Sequence, residues 1–282
     1  MYQCRSEYPP LDPQLAILAS ASIVHVHTSN HINVSPALTK EDIATAIETL
    51  EQNLRQTVSQ GEISITSLPL VPEISLLLLD EDYPRGPLPH EDSIAALNDP
   101  AYWSFCWASG QVLARWLLDH THIAKDQVVL DFGACSGVAG IAAAMSGAQR
   151  VIACDIDPMA LASCRANAIV NGCELTLLEN IEALDTHIDL ILAADVLYDR
   201  ENVPWLEQLA TITPNILLAD SRMKDVEHWG YRRLLSQYAT TVPDLDEARE
   251  FTDVKLYLNE RADLGRWAIH TAGQKNESRS SR

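Results

Sequence analysis

QVVLDFGACSGVAGIAAAMSGAQRVIACDID, residues 127–157, decides the fold. Gln127 to Phe132 is short, β-branched and apolar, and it opens at once into the small-residue turn Gly133-Ala134-Cys135-Ser136-Gly137, so it reads as a buried strand. Val138 to Ser146 is Ala-rich and suits a helix packed on a sheet; Gln149 to Cys154 is a second strand, ended by Asp155. In a strand, turn, helix, strand unit, glycines let the backbone pass close to a ligand and the helix N-terminus offers unpaired N–H groups. A carboxylate ending the second strand, about 20 residues on, can accept both hydroxyls of a ribose, and Asp155 stands at that separation from Gly137. The dinucleotide fingerprint G-x-G-x-x-G is absent. Asp131 would repel a pyrophosphate and suit positive charge, so the expected ligand is a cationic adenosine compound.

The pattern continues outward. Pro158 to Val170 reads as a helix with Pro in its first turn, Glu174 to Leu178 as a strand followed by Asn180, and Ile188 to Ala193 as a strand ended by Asp195. Val203 to Ala210 is helical and Asn215 to Ala219 is a strand. Lys224 to Tyr238 reads as a helix, and Val254 to Leu258 with Arg266 to His270 as a closing antiparallel hairpin around Asn259 to Gly265. Strands alternating with helices predict a doubly wound, mostly parallel seven-stranded α/β sheet with an antiparallel edge. Ligands in such sheets bind outside the carboxyl ends of the strands, where Asp131, Asp155, Asn180 and Asp195 all fall. Four polar groups from four strands argue for a site better than any one does.

Ahead of this domain, assigned to 96–272, residues 1–95 read as a smaller α+β extension suited to substrate recognition, and 273–282 as a disordered tail. Lys40 to Gln60 carries Ile43, Ile47, Leu50, Leu54 and Val58 on one helical face behind a Thr39 cap. Glu62 to Leu68 and Glu73 to Leu79 read as strands, and the Pro-rich residues 80–100 as a linker. Gly110 to His120 reads as a helix docked on the sheet. Before it, Trp103, Phe105 and Trp107 alternate as on an extended segment; they suit core packing or a pocket wall that attracts a cation. His25, His27 and His31 lack an accompanying Cys or carboxylate cluster, so no metal site is expected.

The formal charge of −19 disfavours nucleic acid and anionic membranes and favours basic partners. Cysteines 4, 106, 135, 154, 164 and 173 form no C-x-x-C pair and read as buried thiols of a reducing, cytoplasmic compartment. Leu15 to Val26 is too short for a membrane span and follows Asp12 where a basic region would begin a signal peptide.

The turn resembles the first motif of the class I, seven-strand S-adenosylmethionine (SAM) methyltransferases, an acid followed by three alternate glycines, with Asp131, Gly133 and Gly137 matching and Cys135 at the middle glycine. Asp195-Val-Leu-Tyr198-Asp199 resembles the acid-x-x-aromatic motif of seven-strand protein lysine methyltransferases. YWSFCWASGQVLARWLLDH, residues 102–120, with the turn and Asp155-Ile-Asp-Pro158, is similar to the electron transfer flavoprotein β-subunit lysine methyltransferase family over about residues 72–220. It departs at Ala108 and Ser109, where the family tends to Pro and Gly, and at Leu197, where it tends to Phe. The resemblance implies SAM as cofactor, held by Asp131, Gly133, Gly137, Asp155, Asn180 and the Ile181 backbone, with Trp107 joining them as the aromatic wall read above. It implies Asp195 and Tyr198 as catalytic residues, Asp199 beside a substrate channel that Trp103 of the alternating aromatics would also line, and a lysine-bearing protein as substrate. A small-molecule or non-lysine protein methyltransferase would share the cofactor half. A noncatalytic adaptor and an NAD-dependent enzyme are further alternatives. Target lysine, methylation degree, oligomeric state and the role of the first 70 residues are not legible.

Overall fold

The structure, a computed structural model, describes residues 40–83, 86–223 and 226–262. Helix α1 (Lys40–Leu54) leads into an antiparallel hairpin of β1 (Ile63–Ser67) and β2 (Ser75–Leu79), with Ile63 opposite Leu79. Then come α2 (His90–Asn98), a 3-10 turn at Tyr102–Ser104 and α3 (Ala108–Asp119). The alternating part follows as β3 (Val128–Phe132), α4 (Val138–Met145), β4 (Arg150–Cys154), α5 (Pro158–Val170), β5 (Thr176–Leu178), β6 (Leu190–Ala194), α6 (Trp205–Ile212) and β7 (Ile216–Asp220). It ends in β8 (Tyr231–Tyr238) and β9 (Asp253–Asn259).

The large sheet has seven strands in the order β5-β4-β3-β6-β7-β9-β8. β3 pairs in parallel with β4 on one side and β6 on the other, so the strand order reverses between β3 and β6 and opens a crevice there. β9 alone runs against the others, between β7 and the edge strand β8. Both faces are covered. Val112, Leu113, Leu117 and Ile141 from α3 and α4 pack with Val129, Val151 and Leu192 on one face. Leu206 and Leu209 from α6 pack with Leu130, Ile191, Ile216 and Leu218 on the other. Alternate residues of each strand thus feed opposite layers, as a doubly wound α/β sheet requires.

The described part of the N-terminal section shares its apolar cluster with this domain: Leu50, Leu54, Ile63, Leu77 and Leu79 pack with Trp103, Phe105, Ala160 and Ala166. β2 presents its second edge to Asn167 of α5 and to Asn171, the C-cap of that helix. Asn167 Oδ1 accepts the Leu77 amide at 2.6 Å, and Asn171 bonds both the amide and the carbonyl of Ser75. Buried Asn167 also donates to the Ser136 carbonyl at 2.9 Å, tying the hairpin to the turn after β3.

Three readings are corrected. Residues 80–100 are more than a linker, since α2 starts behind Pro89 with Glu91 and Asp92 in its first turn. Proline there starts the helix. Asp92 also holds it in place by accepting the Ser59 amide and hydroxyl. The helix read at Lys224 to Tyr238 is instead a 3-10 turn at Val226–Trp229 followed by β8. Tyr231, Leu234, Leu235 and Tyr238 stand at helical spacing, but a register shift between Arg233 and Leu235 against β9 accommodates the adjacent leucines in a strand. The partners of β9 are β7 and β8; Arg266 to His270 lies outside the described residues, as do Leu15 to Val26, the three histidines, the Thr39 cap and the tail. Finally, Trp103 to Trp107 is not uniformly extended, because the 3-10 turn at Tyr102–Ser104 sends Trp103 inward.

Candidate active site

At the crevice the chain leaves β3 with left-handed φ at alternate residues: 66° at Gly133, 53° at Cys135 and 79° at Gly137. A Cβ at Gly133 would stand 2.8 Å from Val196 Cγ1, so glycine is needed there for space as well as for conformation. Cys135 reaches the same region with a side chain, at a cost of roughly 1–2 kcal/mol. Two contacts offset that strain. Its amide donates to Asp155 Oδ2 at 2.9 Å, and its thiol lies 3.2 Å from the Tyr102 carbonyl oxygen.

Asp155, following β4, also accepts the Asp157 amide through Oδ1 at 3.0 Å, and each of its oxygens keeps a lone pair for a ligand hydroxyl. Beside it Ile156 is 86% exposed, an apolar surface at a strand end that sequence reasoning missed. Asn180 is exposed, and its Oδ1 accepts the Glu182 amide at 2.9 Å, capping the 3-10 turn that Ile181 begins. Asp157 caps α5 through the Met159 amide at 2.7 Å. Asp131 is placed differently from these: it is 2% exposed beneath the turn, where Oδ2 accepts the Gly140 amide at 2.8 Å. A Cβ at Gly140 would meet that oxygen at 2.9 Å. Asp131 therefore braces the turn and α4 from below, with Gly140 as its partner, a pairing that alanine-rich sequence conceals.

On the other side of the crevice Asp195 follows β6 with φ 52°. Its Oδ1 accepts the hydroxyls of Ser109 at 2.6 Å and Ser221 at 3.1 Å, and its Oδ2 accepts the Ser109 amide at 3.2 Å. Ser109, where the family resemblance departs from glycine, is thus bonded to the expected catalytic acid. The rings of Trp107, Tyr102 and Tyr198 form a row, with centroids 5.7 and 6.0 Å apart, and Tyr198 is 52% exposed at its open end. The Trp107 indole donates to the Tyr102 carbonyl at 3.2 Å. Trp103 is not brought into this row; it is buried against α5, with its carbonyl accepting the Ser163 hydroxyl. Asp199 caps the 3-10 turn at Arg200–Asn202.

Beneath Asp195 lies a polar cluster absent from the sequence reading. Asp220 ends β7 fully buried, and its Oδ1 accepts the amides of Arg222 and Met223. Arg222 donates to Glu247 at 2.7 Å, and Thr241 donates to the other Glu247 oxygen. Asp220 carried the same signal as Asp155 and Asp195, an acid at the carboxyl end of a buried strand. Among the described residues no group of three or more His, Cys, Asp or Glu side chains could hold a metal ion.

Burial pushes the Asp131 carboxyl up to about 7 and the Asp157 carboxyl to about 6, and raises that of Asp155. Between the ordinary carboxylate value and these, the folded protein binds protons that the unfolded chain has lost, so stability falls as pH rises through that window. Asp131 alone accounts for on the order of 1 kcal/mol between about pH 6 and about pH 8. The ligand-free protein is therefore expected to melt about 3 °C higher near pH 6 than near pH 8. Scanning calorimetry checks this; the reverse order would mean that Asp131 is ionised in the fold. Asp131→Asn should flatten the difference.

A family profile described as ribosomal protein L11 methyltransferase (PrmA) matches residues 113–199, from α3 to the acid-x-x-aromatic segment. Curated relatives extend further. The electron transfer flavoprotein β-subunit lysine methyltransferase of Homo sapiens is 34% identical over 167 residues, 56% of this chain and 61% of that protein. That of Xenopus laevis is 36% identical over 63% of each chain. The Danio rerio protein is 32% identical over 209 residues, 67% of this chain and 75% of its own length. The match thus spans about six tenths of the first two relatives and three quarters of the third. With that extent of identity, the chain belongs to the electron transfer flavoprotein β-subunit lysine methyltransferase family.

Proposed function

We propose that this protein is a SAM-dependent protein lysine N-methyltransferase acting on a lysine-bearing, basic protein surface, with an electron transfer flavoprotein β-subunit as the substrate to test first. The observation that carries this reading is that one crevice has at one strand end a nucleoside-type carboxylate, Asp155, and at the neighbouring side an acid, Asp195, three residues before Tyr198, the exposed end of the aromatic row. The family name of the relatives and the −19 charge agree with it.

The residues fit the cofactor. Gly133 and Gly137 leave the turn without side chains where the methionine portion would lie, Asp155 would accept the ribose hydroxyls, and Ile156 offers an apolar face to the adenine beside Asn180 and Ile181. Trp107 would close the wall, and Asp131 holds the turn in shape. When bound, SAM supplies a methyl group on a sulfonium, open to in-line displacement.

The protein's own task is to present a neutral amine. A free lysine has a pKa of about 10.4, so near pH 7 about 5 kcal/mol separates it from the reactive form. Asp195 would accept a hydrogen bond from the nitrogen and aim its lone pair; Tyr198 and Tyr102 would surround the chain and exclude water; a water at the open end would take the proton. Ser109 and Ser221 hold the Asp195 carboxylate in one orientation for this purpose.

The test is incubation of purified protein with methyl-labelled SAM, an electron transfer flavoprotein β-subunit and an extract lacking this protein, followed by mass spectrometry. Label on lysine of a polypeptide is expected. Label confined to small molecules would support the metabolite reading, and no transfer despite cofactor binding the adaptor reading.

A further inference from the structure

We propose that Asp220 is a positioning residue for the acceptor lysine: a second carboxylate behind Asp195 whose charge draws the ammonium into the site, and whose turn aims Ser221 at Asp195. The proposal rests on the lysine reading above.

Three observations converge on it. β6 and β7 run side by side with Ala194 opposite Ala219, and the Asp195 amide donates to the Ala219 carbonyl at 3.0 Å, so the two acids end neighbouring strands. Asp220 is fully buried, and its Oδ2 has no hydrogen-bond partner among the described residues. A buried oxygen without a partner is costly, and its retention calls for a reason. Lastly, Asp220 Oδ1 fixes the Arg222 and Met223 amides, and this same turn carries Ser221 to Asp195 and Arg222 to Glu247.

The charges around Asp220 leave a negative excess. Arg222, in its own turn, is engaged by Glu247 from the β8–β9 connection. Lys255, opposite Asp220 on β9, lies 3.6 Å from Asp253. Asp195 faces it from β6, and Tyr102 and Cys106, from the segment before α3, both have pKa values pushed up by burial and are neutral. Asp195, Asp220 and Glu247 thus stand against one guanidinium, and a lysine ammonium at Asp195 would supply the missing cation. Burial first, and then the Asp195 charge, raise the Asp220 carboxyl above its ordinary range. As pH falls Asp220 protonates, the excess shrinks, and the ammonium is drawn less strongly.

Asp220→Asn separates charge from architecture, because its amide oxygen can still accept the Arg222 and Met223 amides. With saturating SAM, this variant is expected to raise the polypeptide KM about tenfold and to change kcat less than about threefold. In the wild type the same KM should climb as pH is lowered from about 8 to about 5, and in the variant it should start high and climb less, the remainder belonging to Glu247, whose carboxyl burial also raises. Binding of S-adenosylhomocysteine and the melting temperature should be nearly unchanged. A variant with wild-type KM and a wild-type acid limb would overturn the role of Asp220 while leaving the lysine reading intact. Should the variant fail to fold, a wild-type KM that is flat over the same pH range would overturn it as well. If the wild type labels a residue other than lysine, the reading beneath the proposal falls and takes it along.

Discussion

Asp195→Asn is expected to lower methyl transfer about a thousandfold while leaving the affinity for S-adenosylhomocysteine within about threefold. The geometry makes asparagine the informative replacement. Asp195 receives four hydrogen bonds from Ser109 and Ser221, two of them from backbone amides that can only donate: Ser109 to Oδ2 at 3.2 Å and Ser221 to Oδ1 at 3.4 Å. An asparagine with its oxygen toward the Ser109 amide keeps that bond and gives up the longer one from the Ser221 amide, while the two hydroxyls can rotate to accept from its NH2. Shape is kept, and with one backbone donor left unpaired the fold should lose about 2 kcal/mol. What goes is the negative charge, and an NH2 cannot accept a hydrogen bond from the substrate nitrogen. Without it the incoming ammonium is held less firmly and the amine must find its direction unaided, which is where the loss in rate arises. Single-turnover transfer to the polypeptide measures the first quantity and calorimetry the second. Turnover within about tenfold of wild type would reduce Asp195 to a brace between α3 and β7.

The asymmetry between the two halves of the site explains what the sequence could and could not reveal. The cofactor half is local. β3, its turn, α4 and β4 fall within 27 consecutive residues, so their periodicity, the glycines and the terminal Asp155 are read directly, and the strand and helix limits agree to within a residue or so. The acceptor half is assembled from afar. Ser109, Asp195, the Ser221–Arg222 turn and Glu247 come from four separate segments, and nothing in the spacing of Ser109 announces that its hydroxyl lies 2.6 Å from a carboxylate 86 residues later. Where local and tertiary preferences disagreed, tertiary contacts prevailed. The helical spacing of Tyr231, Leu234, Leu235 and Tyr238 yielded to the open edge of β9 and a bulge. The three alternating aromatics were divided by a 3-10 turn, which buries Trp103 and leaves Trp107 in the ring row. Asp131 was legible as a site acid, but its seat beneath the turn depends on Gly140 having no side chain, a contact visible only once α4 is laid on β3.

Asp155→Ala is expected to weaken S-adenosylhomocysteine binding at least about a hundredfold, the loss of two charge-assisted hydrogen bonds to one ribose. The carboxylate is also the tie between the Cys135 amide and the Asp157 amide, so alanine releases a turn already strained by the left-handed Cys135. Both effects act on the same measurement, and a second variant separates them. Asp157→Ala removes the α5 cap and should cost about 1 kcal/mol of stability with little effect on affinity. Ligand stabilisation grows as the logarithm of concentration over Kd, about 2.7 kcal/mol at a hundredfold excess. At such a concentration the wild type and Asp157→Ala should both gain several degrees in melting temperature and Asp155→Ala almost none. An Asp155→Ala protein that melts lower yet gains as much from the ligand would show that the carboxylate only shapes the turn. A full loss in Asp157→Ala would move the ribose contact to the other acid. No ligand gain in the wild type, together with a gain from a nicotinamide dinucleotide, would remove the adenosyl cofactor from the crevice altogether, because Asp131 and the G-A-C-S-G turn would then be tolerating a pyrophosphate.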